Sequence, residues 1–407
     1  MRFVSGVLLA VLSGCCALQA QPSPSTPSDQ AQAVGGSNAF AADLYGHLRS
    51  QPGNLFFSPQ SISAAFAMAY AGARGQTASQ MAQVFHFTLA GERLHPAMGA
   101  LLAAMNAAHR EYELHAADAL WAEQDVQFLD SYLNLTKTNY GAGFHPVDFK
   151  HSPDAVRNTI NQWAEQQTSG KITNLMGPGT VTQATRLVLT NAIYFKGTWQ
   201  NPFKVDLTDD EDFHLTDRQT VKTPMMNRNG GYRYYDGGSF QELEMPYKGG
   251  ELAMVVLLPK KIDGLAALEK SFTAAAMSKW IEKLAPVNKV VLTLPRFKVT
   301  EQFELSGTLS AMGMEQAFTG AADFSGMTGR PEFSISAAIH KAYIDVNEQG
   351  TEAAAATAIA IVGMAMQRPN NEPPPIVFDA DHPFLFLIRD QETGAILFLG
   401  RVTDPTK

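Results

Sequence analysis

The chain has 407 residues, 45% of them apolar and 17% charged, a composition that supplies a large packed core and excludes disorder of the whole. Its 31 basic and 39 acidic residues leave a net charge of -8, so there is no basic field to hold nucleic acid. The two cysteines, Cys15 and Cys16, are adjacent near the start, which excludes a disulfide or a thiolate metal site in residues 17–407.

Arg2 precedes an apolar run over residues 3–12, a length that suits an export signal and is too short for a membrane-spanning helix. The run ends in Leu12-Ser13-Gly14-Cys15, which resembles the bacterial lipobox. On that resemblance residues 1–14 are a lipoprotein signal peptide and Cys15 is the lipidated first residue, with a membrane as partner. Ordinary cleavage near Ala17 or Ala20 is the alternative, and Cys16 has no separate assignment. Residues 18–36 (LQAQPSPSTPSDQAQAVGG) have Pro, Ser, Gln and Gly where a core needs large apolar side chains. Residues 15–36 therefore read as a flexible linker, and the folded body is expected over 37–407, exported and held at the cell envelope or surface, or else released to the periplasm or medium.

From residue 37 the pattern is helical. Ala39, Phe40, Leu44, Tyr45 and Leu48 recur at three- and four-residue spacing, and Ser61-Ile62-Ser63 opens a small-residue run over 64–73 that suits a closely packed interior helix. Further helices are predicted over 79–85, 95–109, 128–140 and 153–167, the last with Val156, Ile160 and Trp163 on one stripe and Gly170 as its stop. The period then changes. Segments 186–195, 231–237, 252–258, 289–294, 342–346, 384–388 and 395–399 are rich in β-branched and aromatic residues and bounded by Gly, Pro or Asp, as strands are. Helices first and strands later, without βαβα alternation, argue for one α+β domain with mixed or antiparallel sheets.

Enzyme signatures are absent: there is no G-x-S-x-G elbow, no H-E-x-x-H helix and no phosphate loop. No two histidines have the spacing of a helix-borne zinc pair, so neither metal nor cofactor is implied. His340 leads a buried-looking strand and reads as a core histidine with a structural hydrogen bond.

The stretch after Tyr343-Ile344-Asp345-Val346 is ambiguous. As a helix, 353–366 has high alanine propensity but no i,i+4 charge pairs, and a short isolated helix is marginal in water. As a strand, Thr351, Ala353, Ala355, Thr357, Ile359 and Ile361 share one face, while Glu352 and the intervening alanines take the other. Small side chains on both faces would let such a strand slide into an existing sheet, which makes the segment a switch candidate.

Seven blocks in order carry a resemblance to the serpins. They are Asn54-Leu55-Phe56-Phe57-Ser58-Pro59-Gln60-Ser61-Ile62-Ser63, Asn161-Gln162-Trp163 through Thr168-Ser169-Gly170-Lys171-Ile172, Leu189-Thr190-Asn191-Ala192-Ile193-Tyr194-Phe195-Lys196-Gly197-Thr198-Trp199, Leu294-Pro295-Arg296-Phe297-Lys298, His340-Lys341-Ala342, Asp381-His382-Pro383-Phe384-Leu385-Phe386 and Phe398-Leu399-Gly400-Arg401-Val402. The resemblance runs through nearly all of 37–407. It implies helices packed around three β-sheets with an exposed reactive-centre loop, and a monomer that is no enzyme. Such a protein inhibits serine, or cysteine, proteases as a suicide substrate: the target cleaves the loop, is held as an acyl-enzyme, and is distorted as the loop enters the central sheet.

The resemblance further implies a hinge at Glu348, Gly350, Thr351, Glu352, Ala353, Ala354, Ala355 and Ala356, small enough to pass into the sheet, with Glu352 facing away from the core. Counting from Glu348 places the reactive bond between Met364 and Ala365, with Arg368 as the alternative. Methionine suits elastase-, chymotrypsin- and subtilisin-like pockets. Ser58, Asn191 and His340 are implied as a buried shutter and Trp199 as a breach residue. Residues 367–375 make the far side of the bond longer and richer in proline than is usual in the family, and Gln349 stands where many members have Ala. The competing readings are a non-inhibitory serpin used for binding or as a chaperone, and a hydrolase with dispersed catalytic residues.

Overall fold

The computed structural model describes residues 25–107, 111–141, 143–351 and 374–407, and within them the chain enters the fold at Pro27, well before the expected start at Ser37. Helix α1 (Pro27–Leu48) is capped by Thr26, whose side chain accepts the backbone N–H of Asp29. The Asp29 carboxylate answers to the N–H of Thr26 and is buried against the guanidinium of Arg93. Ala33 and Val34 join the core. The linker reading is thus corrected for 27–36: small residues there fit a helix pressed against its neighbours, and the cap gives it a start that Pro/Ser/Gln composition hides.

The other helices are α2 (Pro59–Tyr70), α3 (Gly75–Val84), α4 (Gly91–Met105), α5 (Asp130–Tyr140), α6 (Pro153–Gln167), α7 (Leu265–Ser271), α8 (Ala274–Lys283), α9 (Leu305–Ala311) and α10 (Ser325–Thr328). Helix α2 is buried from Pro59 to Ala69, as its run of small residues requires. Helix α6 has the expected bounds, but its buried stripe is Val156, Ile160 and Ala164, while Trp163 is half-buried edge-on to Trp121.

The strands are β1 (Leu55–Phe57), β2 (Tyr112–Glu123), β3 (Phe144–Val147), β4 (Leu187–Thr198), β5 (Thr208–Thr216), β6 (Gln219–Asp236), β7 (Phe240–Pro246), β8 (Leu252–Pro259), β9 (Ala285–Pro295), β10 (Phe297–Glu304), β11 (Ala337–Asn347), β12 (Gly350–Thr351), β13 (Ile376–Asp379), β14 (Phe384–Asp390) and β15 (Ile396–Val402). Six of them form one sheet in the order β10-β11-β12-β4-β2-β3, with β11 also pairing β4 directly. The other nine follow β1-β15-β14-β8-β7-β6-β9-β13, with β5 on β6. The register of β6 on β9 slips between Gly230 and Tyr232. One end of the network is then β5, β13 and the adjoining halves of β6 and β9; the other is β1, β15, β14, β8, β7 and the rest of β6. With the six-stranded sheet these make three, in an α+β fold.

The main core lies between one face of the six-stranded sheet, the antiparallel β8-β14-β15 block and helices α1–α4. A smaller core lies between the other face of that sheet and α6.

Candidate functional site

The seam between β4 and β11 gathers the residues of interest. From Ala337 opposite Val188 to Tyr343 opposite Tyr194 the two strands pair in parallel. Above that point β11 turns back at Glu348 and Gln349, and β12 fits between the two strands, antiparallel to both. Gly350 lies opposite Thr198 and Asn347, and Thr351 opposite Gly197 and Val346. The strands part at one end only, and two residues already fill the gap. Gly350 is needed for close approach, because a Cβ there would sit 2.0 Å from the carbonyl oxygen of Gly197.

The turn is fastened from several elements. The Glu348 carboxylate, buried, accepts from the guanidinium of Arg296 (Nε at 2.7 Å) and from the Thr208 hydroxyl at 2.7 Å. Burial pushes its pKa up, but these bonds outweigh it and the net shift is downward. The indole N–H of Trp199 donates to the Asn347 carbonyl at 3.0 Å, and its ring stacks on Tyr247 with centroids 4.5 Å apart. The Thr351 side chain is fully buried with its hydroxyl 2.7 Å from that of Tyr247. Four of the hinge and breach residues expected from the sequence, Glu348, Gly350, Thr351 and Trp199, therefore meet at the head of the seam.

Farther down, one register row crosses the sheet: Asp118 on β2 opposite Asn191 on β4, opposite His340 on β11, opposite Phe303 on β10. Helix α2 brings Ser58 and Ser61 against this row. The Ser58 N–H donates to His340 Nε2 at 3.2 Å, so Nδ1 carries the proton and donates to Asn191 Oδ1. The Asn191 amide then points its NH₂ at Ser61 Oγ and Asp118 Oδ1, and the Ser61 hydroxyl donates to the same carboxylate oxygen at 3.1 Å. Burial holds His340 neutral, its pKa pushed down to about 3. Ser58, Asn191 and His340 thus form one buried network across the seam.

Sequence reasoning missed Ser61, Arg296, Thr208, Tyr247 and Asp118 as members of these clusters. Ser61 and Arg296 lie inside the serpin-like blocks, and Asp118 is visible as a lone acid in the otherwise apolar stretch Ala116-Ala117-Asp118-Ala119-Leu120-Trp121. Strand β2 itself was not predicted, so nothing placed that acid beside Asn191. Met364, Ala365, Arg368, Glu352, Ala353, Ala354, Ala355, Ala356 and Cys15 lie outside the described residues. Among the described residues no cluster of His, Cys, Asp or Glu is placed to hold a metal ion, and no helix is long and apolar enough to cross a membrane.

Comparison with known proteins bears on most of the chain. Residues 35–405 match the family model described as Serpin (serine protease inhibitor). The leukocyte elastase inhibitor of Homo sapiens is 42% identical over 380 residues, covering 90% of this chain and 97% of that protein. Serpin B4 of Homo sapiens is 39% identical over 385 residues, with 90% and 97% covered. The structure of uncleaved ovalbumin is similar with a TM-score of 0.82 at 31% identity, covering 91% of this chain and 100% of that one.

Proposed function

The chain belongs to the serpin family, and on that premise we propose that it inhibits serine proteases by covalent trapping. A target attacks the carbonyl of Met364, Ala365 leaves as a new N-terminus, and the acyl-enzyme is carried along as the freed segment enters the seam between β4 and β11. The residues of this chain do no bond chemistry. Their part is to offer the bait and to part the sheet faster than water can hydrolyse the ester.

The observation that carries this reading is β12, two residues of the hinge already paired antiparallel between β4 and β11. Continued in the same register, Ala353, Ala355, Thr357, Ile359 and Ile361 would face the main core opposite Phe195, Ile193, Asn191, Leu189 and Leu187. Entry would exchange one parallel ladder for two antiparallel ones, a gain in pairing that drives the step. Thr357 would arrive between Asn191 and His340, where a hydroxyl can take up bonds that their separation frees. Glu352, the charged residue of the run, would fall on the opposite face beside Lys196.

Met364 fits long apolar specificity pockets, in keeping with the name of the human leukocyte elastase inhibitor, to which the chain is similar. The lipobox reading makes the protein an exported bacterial lipoprotein anchored through Cys15. It rests on residues 12–15 alone, and acylated Cys15 found by mass spectrometry of the mature N-terminus is its expected outcome. A free N-terminus at Leu18 or Gln21 would sink it.

The inhibition test incubates the full chain with elastase-, chymotrypsin-, subtilisin- and trypsin-like proteases. A detergent-stable band at the summed mass, with a released peptide beginning at Ala365, is expected. A peptide beginning at Pro369 would move the bait to Arg368. Cleavage without a complex, with every protease left fully active, would favour the non-inhibitory reading.

A further inference from the structure

Asp118 is the acid of the polar row, and its two oxygens are unequal. Oδ1 takes both donors, from Asn191 and Ser61, while Oδ2 is buried with no hydrogen-bond partner. The side chain is nine-tenths buried. The cations on the elements packed around it bond elsewhere: Arg93 of α4 to Asp29, Lys196 of β4 to Glu113 and Lys341 of β11 to the Thr173 carbonyl. Helix α2 contributes Ser58 and Ser61, β4 contributes Asn191, and β11 contributes the neutral His340. Helix α4, also against β2, carries His95, bonded to Tyr140 and held neutral with its pKa pushed down to about 4; β3 carries His145, stacked on Trp121 and likewise shifted down by burial. The row therefore ends on a carboxyl group that no positive charge balances.

We propose that Asp118 is the positioning residue of the seam: its carboxyl group fixes the Asn191 amide, through it the His340 tautomer, and its ionisation sets how readily β4 and β11 part. This rests on the reading of the seam as the place of strand entry. Were Oδ1 not an acceptor there, the Asn191 amide could turn over, and its NH₂ would meet the Nδ1–H of His340 donor to donor. The proton of the neutral acid sits on Oδ2, and its loss leaves a charge on an oxygen that nothing receives.

The direction with pH follows from linkage. Burial raises the pKa from the ordinary 3.8 to about 7, against hydrogen bonds from Asn191 and Ser61 that lower it. An acid raised in the folded state contributes stability that is full below its unfolded value and lost as pH rises through the folded one. Parting of the strands relieves part of that burial, about one pKa unit, so opening is favoured as pH rises from about 6 and most near and above pH 7. His340 and His95 act oppositely in acid, being neutral when folded, so only a comparison at position 118 isolates the effect.

The test is amide hydrogen exchange of residues 188–194 and 337–343 in the full chain, corrected for intrinsic rates, from pH 5 to pH 8, in the wild type, Asp118→Asn and Asp118→Ala. The amide keeps an acceptor without a titrating proton. The wild-type to Asp118→Asn opening ratio is expected to stay within about twofold at pH 5 and to reach about tenfold by pH 8, one pKa unit of relief on opening being worth about tenfold. Asp118→Ala should open faster at every pH, with no such slope. A ratio flat across the range, or Asp118→Asn behaving as Asp118→Ala throughout, would overturn the proposal. Exchange needs no protease: a sloping ratio without any covalent complex would sink the inhibitory reading alone, and a complex with a flat ratio would sink the role of Asp118 alone.

Discussion

The β4–β11 seam of the six-stranded sheet and the β8-β14-β15 block of the nine-stranded one both border the main core, yet they are built to opposite ends. In the block every pairing is antiparallel, and β8 is buried from Leu252 to Pro259 and β15 from Ile396 to Val402. Phe56 of β1 lies between Phe386 and Phe398, with centroids 5.8 and 5.1 Å away. The seam instead pairs in parallel, carries a polar row through its middle, and holds a two-residue wedge at its head. Stability is thus distributed unevenly: apolar contact fixes the block, while the seam is closed by a few bonds that an arriving strand can replace.

Four experiments press on that contrast. The largest effect is expected from Thr351→Arg, which puts a long cation where a fully buried side chain now leads the wedge. Entry should stop, the loop should be cut as an ordinary substrate, and the detergent-stable complex should vanish on gels while the protein stays folded. Undiminished complex formation would mean that the strand does not enter here.

Next, Phe386→Ala should cost about 3–5 kcal/mol by emptying a fully buried ring site, read as a lower denaturation midpoint. If the contrast holds, exchange at the seam relative to global unfolding is unchanged. A selective loosening of the seam would show the two regions to be coupled.

His340→Ala should cost less, about 1–3 kcal/mol, because it strands the Ser58 N–H and Asn191 Oδ1. Its effect should concentrate in the seam, seen as faster loss of monomer to inserted or polymeric forms on warming. An unchanged monomer lifetime would count against the shutter role.

The smallest effect is expected at the wedge's ion pair. Arg296 is 41% exposed, so solvent screening limits the pair to about 1 kcal/mol. Glu348 has its folded pKa depressed, so its contribution is present above the ordinary value of 4.5 and lost as pH falls through the folded value. The difference in melting temperature between wild type and Arg296→Gln should therefore shrink in acid below that range. A difference that grows there would place the charge elsewhere.

Much of this was legible from the chain. Val156 and Ile160 of the α6 stripe, the small residues of α2 and the strands β8, β14 and β15 all state their burial in their spacing. What failed to show has physical causes. Strand β2 is more than half alanine and acid, residue types that strands disfavour, and becomes a strand because β4 offers it a ladder. Strand β5, with Asp209, Asp210, Glu211 and Asp212 exposed, has no apolar alternation because it is the solvated edge of a hairpin. Residues 27–36 look like a linker until Asp29 finds Arg93, a partner from another helix.

The sequence by itself determined which segments could be buried, that no enzyme signature is present, and where a run of small side chains follows β11. Those are properties of side-chain size and period, which the chain carries wherever it lies. Only the tertiary structure decided that Asp118, Asn191 and His340 share one row, that Arg296 clasps Glu348, and that β12 already occupies the head of the seam. Each of these joins residues far apart in the chain, and a buried acid or amide acquires its charge and its orientation only from the neighbours the fold sets against it.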